Sequence, residues 1–300
     1  MYTNHSRTDP ALRVPRHQSL PSGSTPPSHN FPFEIAFTAV APAPADDPEL
    51  TEILPADFGA ALEVLRAFAD PILTGAATDS ATWNPERRGT RNWESGSMRI
   101  PTDEEILGLH EKHAPTAGAF DLVYTHCVIV RGIAEQLRSR LSAGQRIDID
   151  LARAGALLHD VGVYRLYDNA GNLDGVNYIR HGILGYELLQ QEGLPEAICR
   201  FASHHTGVGL TRDDVITQRL PLPPADYLAE TDEERLVMYA DKFHSKKTPP
   251  VLLTAPAYAA RVRRFGPEKV AAFQAMRATF GEPDLEPFSA AYGHRIIHGD

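Results

Sequence analysis

The stretch GALLHDVGVYR, Gly155 to Arg165, ends an apolar helical run with a histidine and an aspartate side by side. The same conflict recurs twice. His126 stands four residues after Leu122 and three before Ile129, so helical geometry carries it along an apolar face. Asp241 follows Tyr239 and Ala240 in another apolar phrase. A carboxylate buried without a partner is costly, so polar sites on three helices imply one partner shared among them.

Helix signals organise the chain from about residue 101. PTDEEILGLH pairs Thr102 with Glu105 as a capping box and predicts a helix start. A longer helix is predicted from Phe120 to about Leu141, with Leu122, Ile129, Ile133 and Leu137 near one face. Asp148 or Asp150 is placed to cap the next, whose Leu151, Ala154 and Leu158 point inward. HGILGYELLQQEGLPEAICRFASHH reads as two helices parted by Gly193 and Pro195. TDEERLVMYADKF repeats the capping box at Thr231 and Glu234 and buries Leu236, Tyr239, Ala240 and Phe243. Nothing between 101 and 300 alternates like a run of strands, and no internal repeat is visible, so the expected fold class is all-α.

Earlier segments read differently. Residues 1–30, rich in Pro, Ser, Thr and Asn with few apolar anchors, predict a disordered tail. Residues 31–100 predict an irregular extension with a short helix around Phe58 to Phe68, leaving 101–300 as the helical core and C-terminal helices. FPFEIAFTAVAPAPA ends in a small-residue pattern but is interrupted by Glu34, and is not read as a secretion signal.

Composition narrows the partners. A formal net charge of −10 argues against an extended nucleic-acid surface, whose affinity depends on clustered Lys and Arg. No run of about eighteen apolar residues occurs, so no membrane span is expected. Cys127 and Cys199 show no CxxC spacing and indicate neither a disulfide framework nor a thiolate zinc site, and a cytoplasmic location is expected. The oligomeric state is left open.

More histidines follow downstream. His181 opens RHGILGYE, while His204 and His205 close FASHHTG. Taken singly, each polar residue has an ordinary reading as a hydrogen-bonded core histidine or a capping aspartate. Together, imidazole nitrogens and carboxylate oxygens are the ligands of divalent transition metals, and one aspartate can lend an oxygen to each of two ions. The ordered set His126, His159 with Asp160, His181, His204 with His205, and Asp241 resembles the HD-domain superfamily of metal-dependent phosphohydrolases. The likeness is to the branch with extra histidines and two metals. YTHCVIV, GALLHDVG, HGILGYELLQQEGLP, HHTG and MYADK carry it, over roughly residues 101–281.

The resemblance implies an HD-domain helical bundle in which His126, His159, Asp160 and Asp241 hold one metal and Asp160 bridges to a second. His181, His204 and His205 would complete the second site, although adjacent helical residues point about 100° apart and either of the last two could act otherwise. The implied cofactors are two divalent transition-metal ions, Fe, Mn, Co, Ni or Zn. Asp160 and Lys242 are the candidate catalytic residues, Lys242 either contacting substrate phosphate or orienting Asp241. Arg165, Arg180 and Arg212 stand near the motifs and could supply local positive charge. The implied activity is hydrolysis of a small phosphorylated substrate, nucleotide or dinucleotide-like, by a metal-activated water. Neither a Walker A loop nor a Gly-rich dinucleotide fingerprint is present. A diiron oxygenase of the HD fold and a non-catalytic nucleotide-sensing protein are the alternatives.

Overall fold

Among the described residues three helices begin at capping boxes, and each box fixes the phase of the residues its helix carries. At Thr102/Glu105, Thr211/Asp214 and Thr231/Glu234 the threonine hydroxyl accepts a backbone N–H three residues on, and the carboxylate accepts the threonine N–H in return. The structure, a computed structural model, describes residues 99–142 and 146–299. The expected tail over 1–30, the extension that follows it as far as residue 98, and the helix around Phe58 to Phe68 lie outside the described residues.

The described chain opens with α1 (Asp103–His113), α2 (Ala117–Ser139) and α3 (Ile149–Leu158). Two 3-10 segments follow, Val161–Leu166 and Tyr178–Arg180, the second leading directly into α4 (His181–Gln191), and then comes α5 (Glu196–Ser203). There follow α6 (Arg212–Thr217), α7 (Asp232–Asp241), β1 (His244–Ser245) and β2 (Val251–Leu253). The chain ends with α8 (Ala255–Val262), a 3-10 turn at Arg263–Phe265, α9 (Pro267–Phe280), α10 (Glu286–Tyr292) and β3 (Arg295–Ile297). Asp148, not Asp150, caps α3, its carboxylate accepting from the N–H groups of Asp150 and Leu151. Gly193, at φ 78°, makes the left-handed break between α4 and α5.

The core forms around α2. Ile129, Ile133 and Leu137 are fully buried and share one apolar cluster with Leu236, Tyr239, Ala240 and Phe243 of the α7 segment. Each of the isoleucine, leucine and phenylalanine side chains contributes about 1.5–3 kcal/mol of transfer free energy, so the seam between α2 and α7 holds these helices firmly side by side. Leu122 and Leu151, expected on the inner faces, are only partly buried. By length and composition α2, 23 residues long, is apolar enough to cross a bilayer; here its apolar residues fill the bundle core.

The expected helical fold carries one small sheet. Among the described residues β1, β2 and β3 form a three-stranded sheet in that order, β1 antiparallel and β3 parallel to β2. His244 lies opposite Leu252, and Leu252 opposite Ile296. Strands of two or three residues are too short for a period-2 pattern to show in the sequence. Their effect is local: the sheet receives the chain as it leaves α7.

The turn after the His159–Asp160 doublet is pressed against α4. A Cβ on Gly162 would lie 2.0 Å from the carbonyl oxygen of His181 and 2.2 Å from the amide nitrogen of Gly185. Only glycine permits this approach, which brings Asp160 to the start of α4.

Candidate metal centre

Five elements converge on Asp160. α2 contributes His126 from its middle; α3 ends into His159 and Asp160; His181 begins α4, His205 follows the end of α5, and Asp241 ends α7. The four histidines and Asp160 are buried, and Asp241 is partly so.

Asp160 divides its carboxylate between two groups of side chains. Its Oδ2 lies 3.0 Å from His126 Nε2 and 3.4 Å from His159 Nε2. The same two nitrogens lie 3.0 and 3.6 Å from Asp241 Oδ1, closing a set of His126, His159, Asp160 and Asp241. Asp160 Oδ1 faces the other way, 3.5 Å from both His181 Nε2 and His205 Nε2. Within each set the potential ligand atoms all lie within 4.8 Å of one another.

The imidazole hydrogen bonds make these donor sets suited to a metal. His159 Nδ1 is 2.7 Å from Ala156 O, His181 Nδ1 2.7 Å from Tyr178 O, and His205 Nδ1 2.7 Å from Ala202 O. A carbonyl only accepts, so each Nδ1 carries the proton and, in the neutral ring, each Nε2 presents a lone pair. Burial pushes His181 down to about 3 and also lowers His205, keeping both rings neutral near pH 7. Their Nε2 atoms nevertheless stand 3.0 Å apart. Facing lone pairs at that distance repel unless a cation lies between them. Asp160 Oδ1 is buried with no hydrogen-bond partner among the described residues. Both features fit a divalent metal bound by nitrogen and oxygen.

The carboxylates are held ionised. Burial pushes Asp160 up, but Lys246, His159 and His126 outweigh it and leave the carboxyl well below its usual range. Asp241 also ends well below its usual range, burial being overcome by Lys242 and the hydrogen bonds of His126 and His159.

His204 is not brought to either set. Its Nδ1 lies 2.6 Å from Ser203 Oγ and its ring faces Tyr227, with centroids 6.1 Å apart. Lys242 is buried and donates to Asp241 Oδ2 at 2.7 Å and to His205 O at 3.0 Å, an arrangement that steadies a carboxylate. Of the three arginines proposed as local charge, Arg165 pairs with Gln191 and Glu187, and none of Arg165, Arg180 and Arg212 lines the cavity beside the cluster.

Residues 123–246 match the family model described as HD domain. This segment of the chain is an HD domain. An uncharacterised protein of Methanocaldococcus jannaschii is 37% identical over 120 residues, 40% of this chain and 64% of its own length. The tRNA (cytidine(56)-2'-O)-methyltransferases of Thermoplasma volcanium and Picrophilus torridus are each 32% identical, over 47% and 49% of this chain but only 36% and 37% of theirs. The chain thus spans less than two thirds of each of these relatives. Among solved structures, the HD domain of the L. monocytogenes phosphodiesterase PgpH gives a TM-score of 0.36 at 16% identity, covering 57% of this chain and 94% of that one. The same domain in complex with cyclic-di-AMP gives 0.38 at 17%, covering 64% and 99%.

Three residues of this HD-domain chain were invisible to helix periodicity. Lys246, beyond β1, sets its ammonium against Asp160 Oδ2, and the carboxylate's charge raises the lysine despite its burial. His244 Nδ1 lies 2.8 Å from His126 Nδ1, and its Nε2 lies 2.9 Å from His294 Nδ1. The three rings stack in file, with successive centroids 5.1 and 5.0 Å apart. The available signal was the HSKK run directly after MYADKF. Beside the cluster opens a cavity of about 280 Å³, whose walls include Asp160, His181, His205, Asp241, Lys242 and Lys246. A space of this size suits a small ligand.

Proposed function

We propose that this chain is a metal-dependent phosphohydrolase that cleaves a phosphate ester or anhydride of a small, nucleotide- or dinucleotide-like molecule. One observation carries the reading: Asp160 turns one oxygen to each of two histidine sets, and both sets open on a cavity lined by lysines and arginines. In this reading two divalent ions of the Fe, Mn, Co, Ni or Zn type occupy the centre, one held by His126, His159, Asp160 and Asp241, the other by Asp160, His181 and His205. Such a pair supplies Lewis acidity toward phosphoryl oxygens and acidifies water.

The chain's own residues do the rest. Asp160 fixes the spacing of the two sets, and backbone carbonyls aim three imidazoles at it. Lys242 keeps Asp241 ionised and oriented. Lys246, on the cavity wall beside Asp160, is placed to receive a phosphoryl oxygen and so shield the attacking water's approach from negative charge. The free, buried thiols of Cys127 and Cys199 support a cytoplasmic setting.

The test uses full-length protein purified without chelator. Metal analysis should find between one and two transition-metal ions per chain, and a panel of nucleotides, dinucleotides and sugar phosphates should release phosphate or a phosphomonoester. Chelation should abolish that release. Undiminished turnover by metal-free protein would overturn the mechanism, and oxygen consumption without phosphate release would point to the oxygenase instead.

A further inference from the structure

Cations gather on the cavity wall of a chain that has 39 acidic and 29 basic residues. Lys242, Lys246 and Lys269 line it, but each is engaged by a carboxylate: Asp241, Asp160 and Asp214 respectively. Arg261 and Arg264 line the same cavity and have neither an ion pair nor a hydrogen bond with any of the described residues. They stand three residues apart where α8 passes into the 3-10 turn, a spacing that puts two side chains on one face. The guanidinium of Arg264 lies over the ring of Phe265, 4.8 Å from its centroid, which limits the directions it can take.

Two guanidinia on one face repel each other, and a phosphate group, with oxygens enough to accept paired N–H donors from both, relieves the repulsion. They stand on a different element from the metal ligands, at the end of α8 and in the turn after it. Tyr258, which lies within electrostatic range of Asp241 as well as of both arginines, lines the wall together with Val262 and Leu253. This largely apolar strip would face the organic body of a ligand. Residues 251–265 lie beyond the segment that matches the HD model, so the arrangement belongs to this chain's C-terminal helices.

We propose that Arg261 and Arg264 form a subsite for a second phosphate group, and that the substrate is a compact organic molecule phosphorylated at two separated positions. The proposal rests on the reading that the other phosphate is held at the Asp160 centre.

The probes are alkanediol bisphosphates of increasing length and the alkyl monophosphates that match them, used with the full chain and with an Arg261→Ala/Arg264→Ala variant. Binding is read by titration calorimetry and hydrolysis by phosphate release. At one chain length the native protein should bind the bisphosphate about tenfold more tightly than the matched monophosphate, as expected for added charge-assisted hydrogen bonds. In the double variant this ratio should fall to near one, with Arg261→Lys/Arg264→Lys recovering part of it. A ratio near one in the native protein, or a ratio that the variant keeps, overturns the subsite. Arginine-dependent preference for the bisphosphate without hydrolysis of either probe would uphold the subsite and count against the phosphohydrolase reading. Hydrolysis of both probes without preference would do the reverse.

Discussion

His126 and His244 meet through their Nδ1 atoms at 2.8 Å, so the face of His126 opposite the carboxylates is gripped by another imidazole. Only one of the two nitrogens can carry the proton, and His294 holds the far side of His244. His244 thereby sets the orientation of His126. His244→Phe keeps a ring of similar shape and removes the hydrogen bonds. It should weaken metal binding at the His126 set by roughly 10- to 100-fold, read by competition with a chromophoric chelator. Unchanged affinity would mean that the contact packs without orienting.

The divided carboxylate of Asp160 separates two other variants. Asp160→Asn removes charge from both sets, whereas His181→Ala removes one nitrogen from the second. Metal analysis should find close to one ion per chain in the His181 variant and fewer in the Asp160 variant, with hydrolysis reduced in both. If His181→Ala retains two ions and full activity, His181 is a helix-start residue and nothing more.

Arg200 on α5 donates to Glu234 on α7 at 2.7 Å from Nε and 3.2 Å from Nη2, and Glu234 is also the partner in the Thr231 capping box. Burial pushes the Glu234 carboxyl up, but the hydrogen bonds and charge of Arg200 overcome this and leave it below its ordinary value. A carboxyl lowered in the folded state gives stability that is fully present above its unfolded pKa, about 4.3, and lost as pH falls through the lower folded value. Glu234→Gln should cost about 3 kcal/mol near neutrality and flatten that acid limb. Urea melts across pH 3 to 7 with chelator present would show it; an unchanged acid limb would assign the acid sensitivity to other groups.

Gly162→Ala tests how closely the doublet must approach α4. A methyl group 2.0 Å from His181 O forces backbone apart, so destabilisation of ~3 kcal/mol, at the upper end for overpacking, is expected together with weaker binding at the His181 set. Thermal melting and metal stoichiometry read the two effects separately. Native-like values for both would mean that the turn relaxes freely.

What could be read from the sequence had helical period or capping chemistry behind it. Thr102 and Thr231 announced their helices through a carboxylate three residues on, and Ile129, Ile133 and Leu137 announced the inner face of α2. His204 and His205 could not be told apart, because α5 ends at Ser203 and the direction of each ring depends on how the helix terminates: His204 sits at φ −114°, ψ 13°, outside helical geometry. His244, His294 and Lys246 reach the centre through short strands and loops, where no period links a residue to its neighbours in space. Arg261 and Arg264 gave no signal beyond being basic; only the return of α8 to the cavity connects them to Asp160.

The residues around Asp160 come from α2, the end of α3, the start of α4, the end of α5 and the end of α7. Ions held there would tie together segments that an unfolded chain keeps far apart, and every bound ion would add to folding stability by mass action. Withdrawal of metal would then do more than stop turnover. It would raise the fraction of molecules open to proteolysis, so the lifetime of this protein in a cell would track the supply of the metal it uses.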